Sequence, residues 1–136
     1  MSLSIKNIIR LTTVVVVFVL FTNETKKQDP PPGKVVYEKN CLSCHQADGS
    51  GVPGMNPPLS GVSWVTGNKE KLITIVLKGV NTPLEIDGEL YHNPMPSQQH
   101  LTDKEIAYVL SYIRSSFGNK ATAVSEEEVK KVRMKK

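Results

Sequence analysis

The stretch "QADGSGVPGMNPPLSGVSWVTG", residues 46–67, constrains this chain more than any other. It runs for 22 positions with five glycines, three prolines and no sustained helical or strand period. A compact domain seldom tolerates so long a structureless connection. Something other than polypeptide has to order it.

The elements on either side are easier to read. A chain of 136 residues is one domain by default. A first helix is expected from about Lys34 into "CLSCH", because Gly33, Tyr37, Cys41 and His45 recur every four positions and share one face. A second follows Asn68, a good N-cap, through "KEKLITIVLK" to Gly79, with Leu72, Ile75 and Val76 as its apolar stripe. In the third, Thr102 and Glu105 form a capping box. Ile106, Val109, Leu110, Ile113 and Phe117 repeat at helical spacing, and Gly118 is the stop. A short fourth helix can follow Ser125, where Glu128 completes another capping box; the charged run around it reads as a solvated face. Between the second and third helices, "LEIDGELY" carries Asp87-Gly88, a two-residue hairpin signal. The expectation is an all-α domain of three main helices with a small hairpin and long loops.

Charge and the N-terminus bound the setting. The net charge is +4, but residues 33–118 carry seven Lys or Arg against eight Asp or Glu, a net of −1. The basic excess therefore sits in the tails, and no arginine-rich patch interleaved with aromatics argues for nucleic acid. Lys6 and Arg10 precede "LTTVVVVFVLF", an apolar run over residues 11–21. That length suits a signal-peptide core and is short for a span of about 20 residues. No small-residue cleavage pattern follows, so an uncleaved anchor competes with a cleaved signal. Both place the rest of the chain outside the cytoplasm. The organisation expected is residues 1–21 as signal peptide or membrane anchor, 22–32 as a Pro-rich linker, 33–118 as the folded domain, and 119–136 as a charged tail with a possible short helix.

Cys41 and Cys44, in "CLSCH", are the only cysteines. A redox dithiol would want a strand before the motif and an α/β pattern after it, and neither is present. Zinc would need His92 and His100 as its second pair, which are spaced too widely for the usual half-site. An ordinary disulfide beside a bystander histidine is the bland alternative. Covalent haem fits best: two thiols three residues apart can form thioethers to one porphyrin, and His45 then lies under the iron.

A second cluster, "YHNPMPSQQH", offers three further electron-pair donors, His92, Met95 and His100. The loop alone does not choose between them. Met55 is a weaker rival, expected to pack against the macrocycle.

These segments together resemble the class I monohaem c-type cytochromes. The likeness spans about Gly33 to Gly118 and rests on "CLSCH", on "CHQADGSGVPGMNPPLSG" as the loop after the haem motif, and on "HNPMPSQQHLTDKEIAYVLSYIRSSFGN" as a methionine loop and terminal helix. It implies a cytochrome c-like fold around one covalent haem c per chain. Cys41 and Cys44 would be the thioether residues, His45 the proximal ligand and Met95 the distal one. Pro57, or its neighbour Pro58, would accept the hydrogen bond from His45 through its carbonyl. Gly33 and Tyr37 would cross the third helix near Val109 and Tyr112. Trp64 would either donate its indole N–H to a haem propionate or close the core over the ring.

With both axial positions filled, substrate has no open site at iron, and the chain lacks a nucleophile–base pair. The reading is a one-electron carrier, not an enzyme, serving a dehydrogenase, a terminal oxidase or another cytochrome as a monomer. Its place is the periplasm, soluble or tethered through residues 11–21. A haem-based gas sensor or peroxidase-like enzyme is the alternative and would need a displaceable sixth ligand.

Overall fold

The computed structural model describes residues 29–81 and 83–135. The apolar run 11–21, with the export or anchor expectation attached to it, lies outside them. No helix among the described residues is long and apolar enough to cross a membrane.

Helix α1, Pro32–Asn40, opens on proline, whose fixed φ suits the first turn and whose missing N–H costs nothing there. It does not run on through the cysteine motif as expected. Cys41 takes φ −121°, and a separate turn, α2, Leu42–His45, follows. The hydrogen-bond ladder survives the bend, since Cys41 N donates to Tyr37 O at 2.8 Å and His45 N to Cys41 O at 3.0 Å. Gly33, Tyr37 and His45 still share the buried face.

A second short element, α3, Ser63–Thr66, interrupts the long loop. Its signal is not local. Asp87, 24 residues on, accepts from Ser63 N at 2.8 Å and from Ser63 Oγ at 2.5 Å, capping the turn from outside. Helix α4, Lys69–Lys78, starts where Asn68 accepts from Lys71 N at 2.9 Å. It buries Leu72, Ile73, Val76 and Leu77. Strands β1, Leu84–Ile86, and β2, Glu89–Tyr91, pair antiparallel with Leu84 opposite Tyr91 and Ile86 opposite Glu89. Asp87 and Gly88 both have positive φ, at 51° and 87°, as a two-residue turn of type I′ requires.

Helix α5, Asp103–Ser115, carries the expected capping box. It stops at Ser115, short of Gly118, because Phe117 turns to φ 55° and brings its ring within 5.3 Å of Tyr37 and 5.7 Å of Tyr112. Aromatic stacking overrides the helical period there. The core sits where α1 crosses α5. A Cβ on Gly33 would collide with the Tyr108 carbonyl and lie 2.7 Å from Tyr112 Cβ, so only glycine lets the backbones approach this closely. Tyr37, Ile106, Val109 and Leu110 are each at most 1% exposed. Fully burying such side chains contributes about 1.5–3 kcal/mol apiece.

Helix α6, Glu126–Arg133, begins with its own capping box at Ser125 and Glu128. Its charges do face water, as the sequence suggests, but the opposite face is core. Val129 and Val132 are 0% and 7% exposed, and the helix packs on α4 and α5. Lys69–Glu128 at 3.1 Å, Lys135–Glu70 at 2.7 Å and Arg133–Asp103 at 2.6 Å rim the contact.

Two buried polar residues hold the long loop to this helical body. Arg114 Nη1 donates to the Val65 carbonyl at 2.5 Å and the Gly67 carbonyl at 3.2 Å, and its Nε donates to Thr122 O at 2.7 Å. Asn119 accepts from Gly61 N and donates to Leu59 O, both at 2.8 Å. Buried polar atoms that are all partnered cost little, which is why such residues can staple a loop.

Candidate functional site

The helical body presents one apolar side to a cavity that opens to solvent. Leu110 and Ile113 of α5, Val76 of α4, and Ile86 and Tyr91 of the hairpin form much of the wall. Among the described residues, no Asp, Glu, Lys or Arg lines it. The hairpin is therefore part of the enclosure.

Helix α2 aims three donors at this space, since Cys41, Cys44 and His45 all line it. His45 is 9% exposed. Its Nδ1 lies 3.0 Å from the Pro57 carbonyl, and a carbonyl can only accept, so Nδ1 carries the proton. The lone pair is then on Nε2. Burial lowers the His45 pKa, while the bond to Pro57 acts in the opposite sense. A buried imidazole kept neutral and oriented by a carbonyl is the form that ligates metal. The two thiols are not joined to each other. Burial, then the neighbouring Cys44, pushes the Cys41 thiol up to about 11. Cys44 is exposed, so the cavity reaches solvent beside it.

The fourth donor arrives from the loop between β2 and α5. Met95 lines the cavity and is part of an isolated bridge to Val80, with N–H···O distances of 2.9 and 3.0 Å. Just before Val80, Gly79 at φ 74° allows the approach, since a Cβ there would lie 2.5 Å from the Met95 carbonyl. Downstream, Ser97 Oγ donates to Leu77 O at 2.6 Å and Gln98 N to Val76 O at 2.9 Å. The Met95 backbone is thus sewn to the end of α4. His92 and His100 are exposed and do not line the cavity. Met55 does not line it either and is 49% exposed, contrary to the expectation that it packs on a macrocycle. Its loop turns it outward.

Trp64 lines the cavity from α3, and the Lys71 ammonium sits 3.3 Å from its ring centroid. A cation over an indole face is attracted by the ring quadrupole. Asp87 anchors the hairpin to the same turn through Ser63. Lys71, Asn56, Asn93 and Gln98 escaped the sequence reading. A polar residue in a loop or on a helix face carries no mark that distinguishes it until the fold brings it to a wall.

The donor set suits iron in a macrocycle. One neutral imidazole and one thioether sulfur are borderline-to-soft ligands, unlike the oxygen shells of magnesium or calcium, and the two thiols beside the imidazole are placed to attach a macrocycle. The uncharged walls suit the faces of a flat apolar ring. Among the described residues, no group of three or more His, Cys, Asp or Glu could hold another metal ion.

Comparison with known proteins is in keeping with this site. The model of the cytochrome c family matches residues 31–117. The chain is similar to cytochrome c-552 of Thermus thermophilus, with 37% identity over 113 residues, covering 76% of this chain and 86% of that protein. It is similar also to the fructose dehydrogenase cytochrome subunit of Gluconobacter japonicus, at 40% identity over 106 residues, 74% of this chain but 22% of that subunit. The gluconate 2-dehydrogenase cytochrome c subunit of Pantoea cypripedii matches at 34% over 115 residues, 79% of this chain and 25% of that subunit.

Proposed function

The chain belongs to the cytochrome c family, electron carriers with covalently bound haem c, and from that premise we propose that it passes single electrons between redox proteins through an iron held by His45 and Met95. Bound haem c supplies an iron that takes up and returns one electron. Everything else is the work of the polypeptide.

Cys41 and Cys44 would hold the macrocycle through thioether bonds. His45, neutral and oriented by Pro57, would offer the Nε2 lone pair to the iron. The observation that carries the His/Met reading is that Met95, alone of His92, Met95 and His100, lines the same cavity as His45. A soft thioether favours the ferrous state, so this pair holds the potential higher than two imidazoles would. The wall without ionised side chains excludes water and offers few mobile dipoles to reorient when the charge inside changes. Trp64, pinned under Lys71, closes the cavity or donates its indole N–H to a propionate. With His45 and Met95 both holding the iron, substrate would find no position there, which favours a carrier over an enzyme or sensor.

The opening beside Cys44 is the natural place for a partner to approach, because electron tunnelling needs a short path to the ring. A dehydrogenase, an oxidase or a second cytochrome would dock there weakly and briefly. Relatives that are named as dehydrogenase cytochrome subunits support the first of these. Export to the periplasm, with residues 11–21 as signal or tether, completes the proposal.

The test is substitution of Met95 by alanine in the haem-loaded protein. The sulfur-to-ferric-iron charge-transfer band should vanish, the potential should fall, and carbon monoxide should bind the ferrous form. Substituting His92 or His100 should change none of these. A Met95 variant with the parent spectrum, beside a histidine variant that loses it, would establish bis-histidine ligation instead. Mass spectrometry of the exported protein should find the haem mass on the peptide bearing Cys41 and Cys44, and reads the N-terminal cleavage in the same run.

A further inference from the structure

The loop that carries Pro57 and the loop that carries Met95 are joined directly. His92 N donates to Gly54 O and Asn93 N to Met55 O, both at 3.1 Å. The Asn93 side chain adds a third bond, from Nδ2 to Asn56 Oδ1 at 3.2 Å. Asn56 and Asn93 are both partly buried, and both line the cavity. The Asn56 end of the contact is itself stiff, because Asn56 exchanges two backbone bonds with Val52, each 2.8 Å long.

The placement of this contact in the chain is what gives it meaning. Asn56 immediately precedes Pro57, whose carbonyl orients His45 at 3.0 Å. Asn93 lies two residues before Met95. The path from the imidazole runs through Pro57, Asn56 and Asn93 to the thioether with one side-chain hydrogen bond at its middle. Downstream of Met95 the loop is fixed to α4 by backbone and serine contacts. Upstream, between Tyr91 and Met95, hydrogen bonds to Gly54, Met55 and Asn56 reach across to the Pro57 loop.

We propose that Asn56 and Asn93 are positioning residues: their amide–amide bond straps the Met95 loop to the Pro57 loop, so that the grip of Met95 and the seating of His45 depend on each other. The strap rests on the His/Met reading above. Neither asparagine needs to touch iron. Each acts through its neighbour, Asn56 through Pro57 and Asn93 through Met95.

Imidazole binding to the ferric, haem-loaded protein measures the grip, because imidazole enters only when the sulfur leaves. Losing one neutral hydrogen bond of this kind should raise imidazole affinity about fivefold in Asn93→Ala and similarly in Asn56→Ala. The double alanine variant should bind no more tightly than either single one, since both remove the same bond. A charge pair keeps the test sharp if the alanine variants fold poorly. In Asn93→Asp, Asn56 can rotate its amide to donate, and in Asn56→Asp the acceptor is retained, so each single aspartate should stay near the parent. With both aspartates together, two carboxylates face each other, and affinity should rise about tenfold or more. The charge-transfer band of the parent separates the two levels of the proposal. A parent without the band has no Met95 on iron, and the strap falls with that reading. A parent with the band, whose alanine and double-aspartate variants bind imidazole as the parent does, keeps Met95 and overturns the strap alone.

Discussion

The two sides of the molecule fold by different rules. In α5, six of the residues between Asp103 and Ser115 are buried, and the helix packs on α1 and α6. Between Gln46 and Val62 the only fully buried residues are Gly49 and Gly51, and side chains such as Leu59 and Val62 are only partly buried. Its order comes from hydrogen bonds to its edges, through Asn119, His45 and Asn93, and from what its apolar atoms face across the cavity. One side is a helical core packed largely on itself. The other is a polar-stitched frame around a group that supplies the missing core. The difference explains how a domain this small tolerates so long a loop.

The largest expected effect removes that group. Replacing both Cys41 and Cys44 with alanine should give a colourless protein without a cooperative thermal transition. The apolar wall of α4 and α5 then faces water, and too little core remains in so small a domain. Circular dichroism through a melt checks this. A colourless variant that melts cooperatively would show that the helical side needs no partner, and the contrast between the two sides would sharpen into independence.

Breaking the helical side at its tightest point comes next. Gly33→Val forces a branched side chain into the Tyr108 carbonyl and Tyr112, and should cost about 3 kcal/mol in denaturant unfolding. Val129→Ala attacks the same side from α6. Losing two buried methyl-sized groups and leaving a small void should cost about 2 kcal/mol. Both losses should appear in unfolding while the visible spectrum of the folded protein stays that of the parent. A Val129 variant of parental stability would mean α6 is an appendage.

The smallest effect is a pH dependence. The Ser125 backbone N–H, and then Lys69, hold the Glu128 carboxyl below its usual range. A carboxyl whose pKa is lowered by folding stabilises the fold above the unfolded pKa, and that contribution fades as pH falls through the lowered value. Acid titration of stability should therefore flatten in Glu128→Gln.

The sequence disclosed most where structure depends on neighbours along the chain. Asn68, Thr102 and Ser125 announce their helices because a cap acts within three residues, and Asp87-Gly88 announces the hairpin for the same reason. The spacing of Cys41, Cys44 and His45 likewise brings these donors to one wall. What stayed hidden depends on contacts far along the chain. The turn at Ser63 is capped by Asp87. The end of α5 is decided by Phe117 reaching Tyr37, and Val129 looks like part of a charged run until α4 and α5 cover it. Asn56 and Asn93 are 37 residues apart and read as loop polarity until they meet.

The guanidinium of Arg133, near the end of the chain, reaches a place distant in sequence. It donates to the carbonyls of Gln99 at 3.0 Å and Leu101 at 2.7 Å, and to the Asp103 carboxylate at 2.6 Å. Those residues lie just beyond Ser97 and Gln98, whose bonds to α4 anchor the segment that bears Met95. A protease trimming the chain behind Ser125 would take away the Arg133 contacts without touching the cavity. The colour should stay that of the parent, because the bonds of Met95 to Val80 and of Ser97 and Gln98 to α4 remain, while resistance to denaturant falls; the last helix braces the fold without reporting on its cargo.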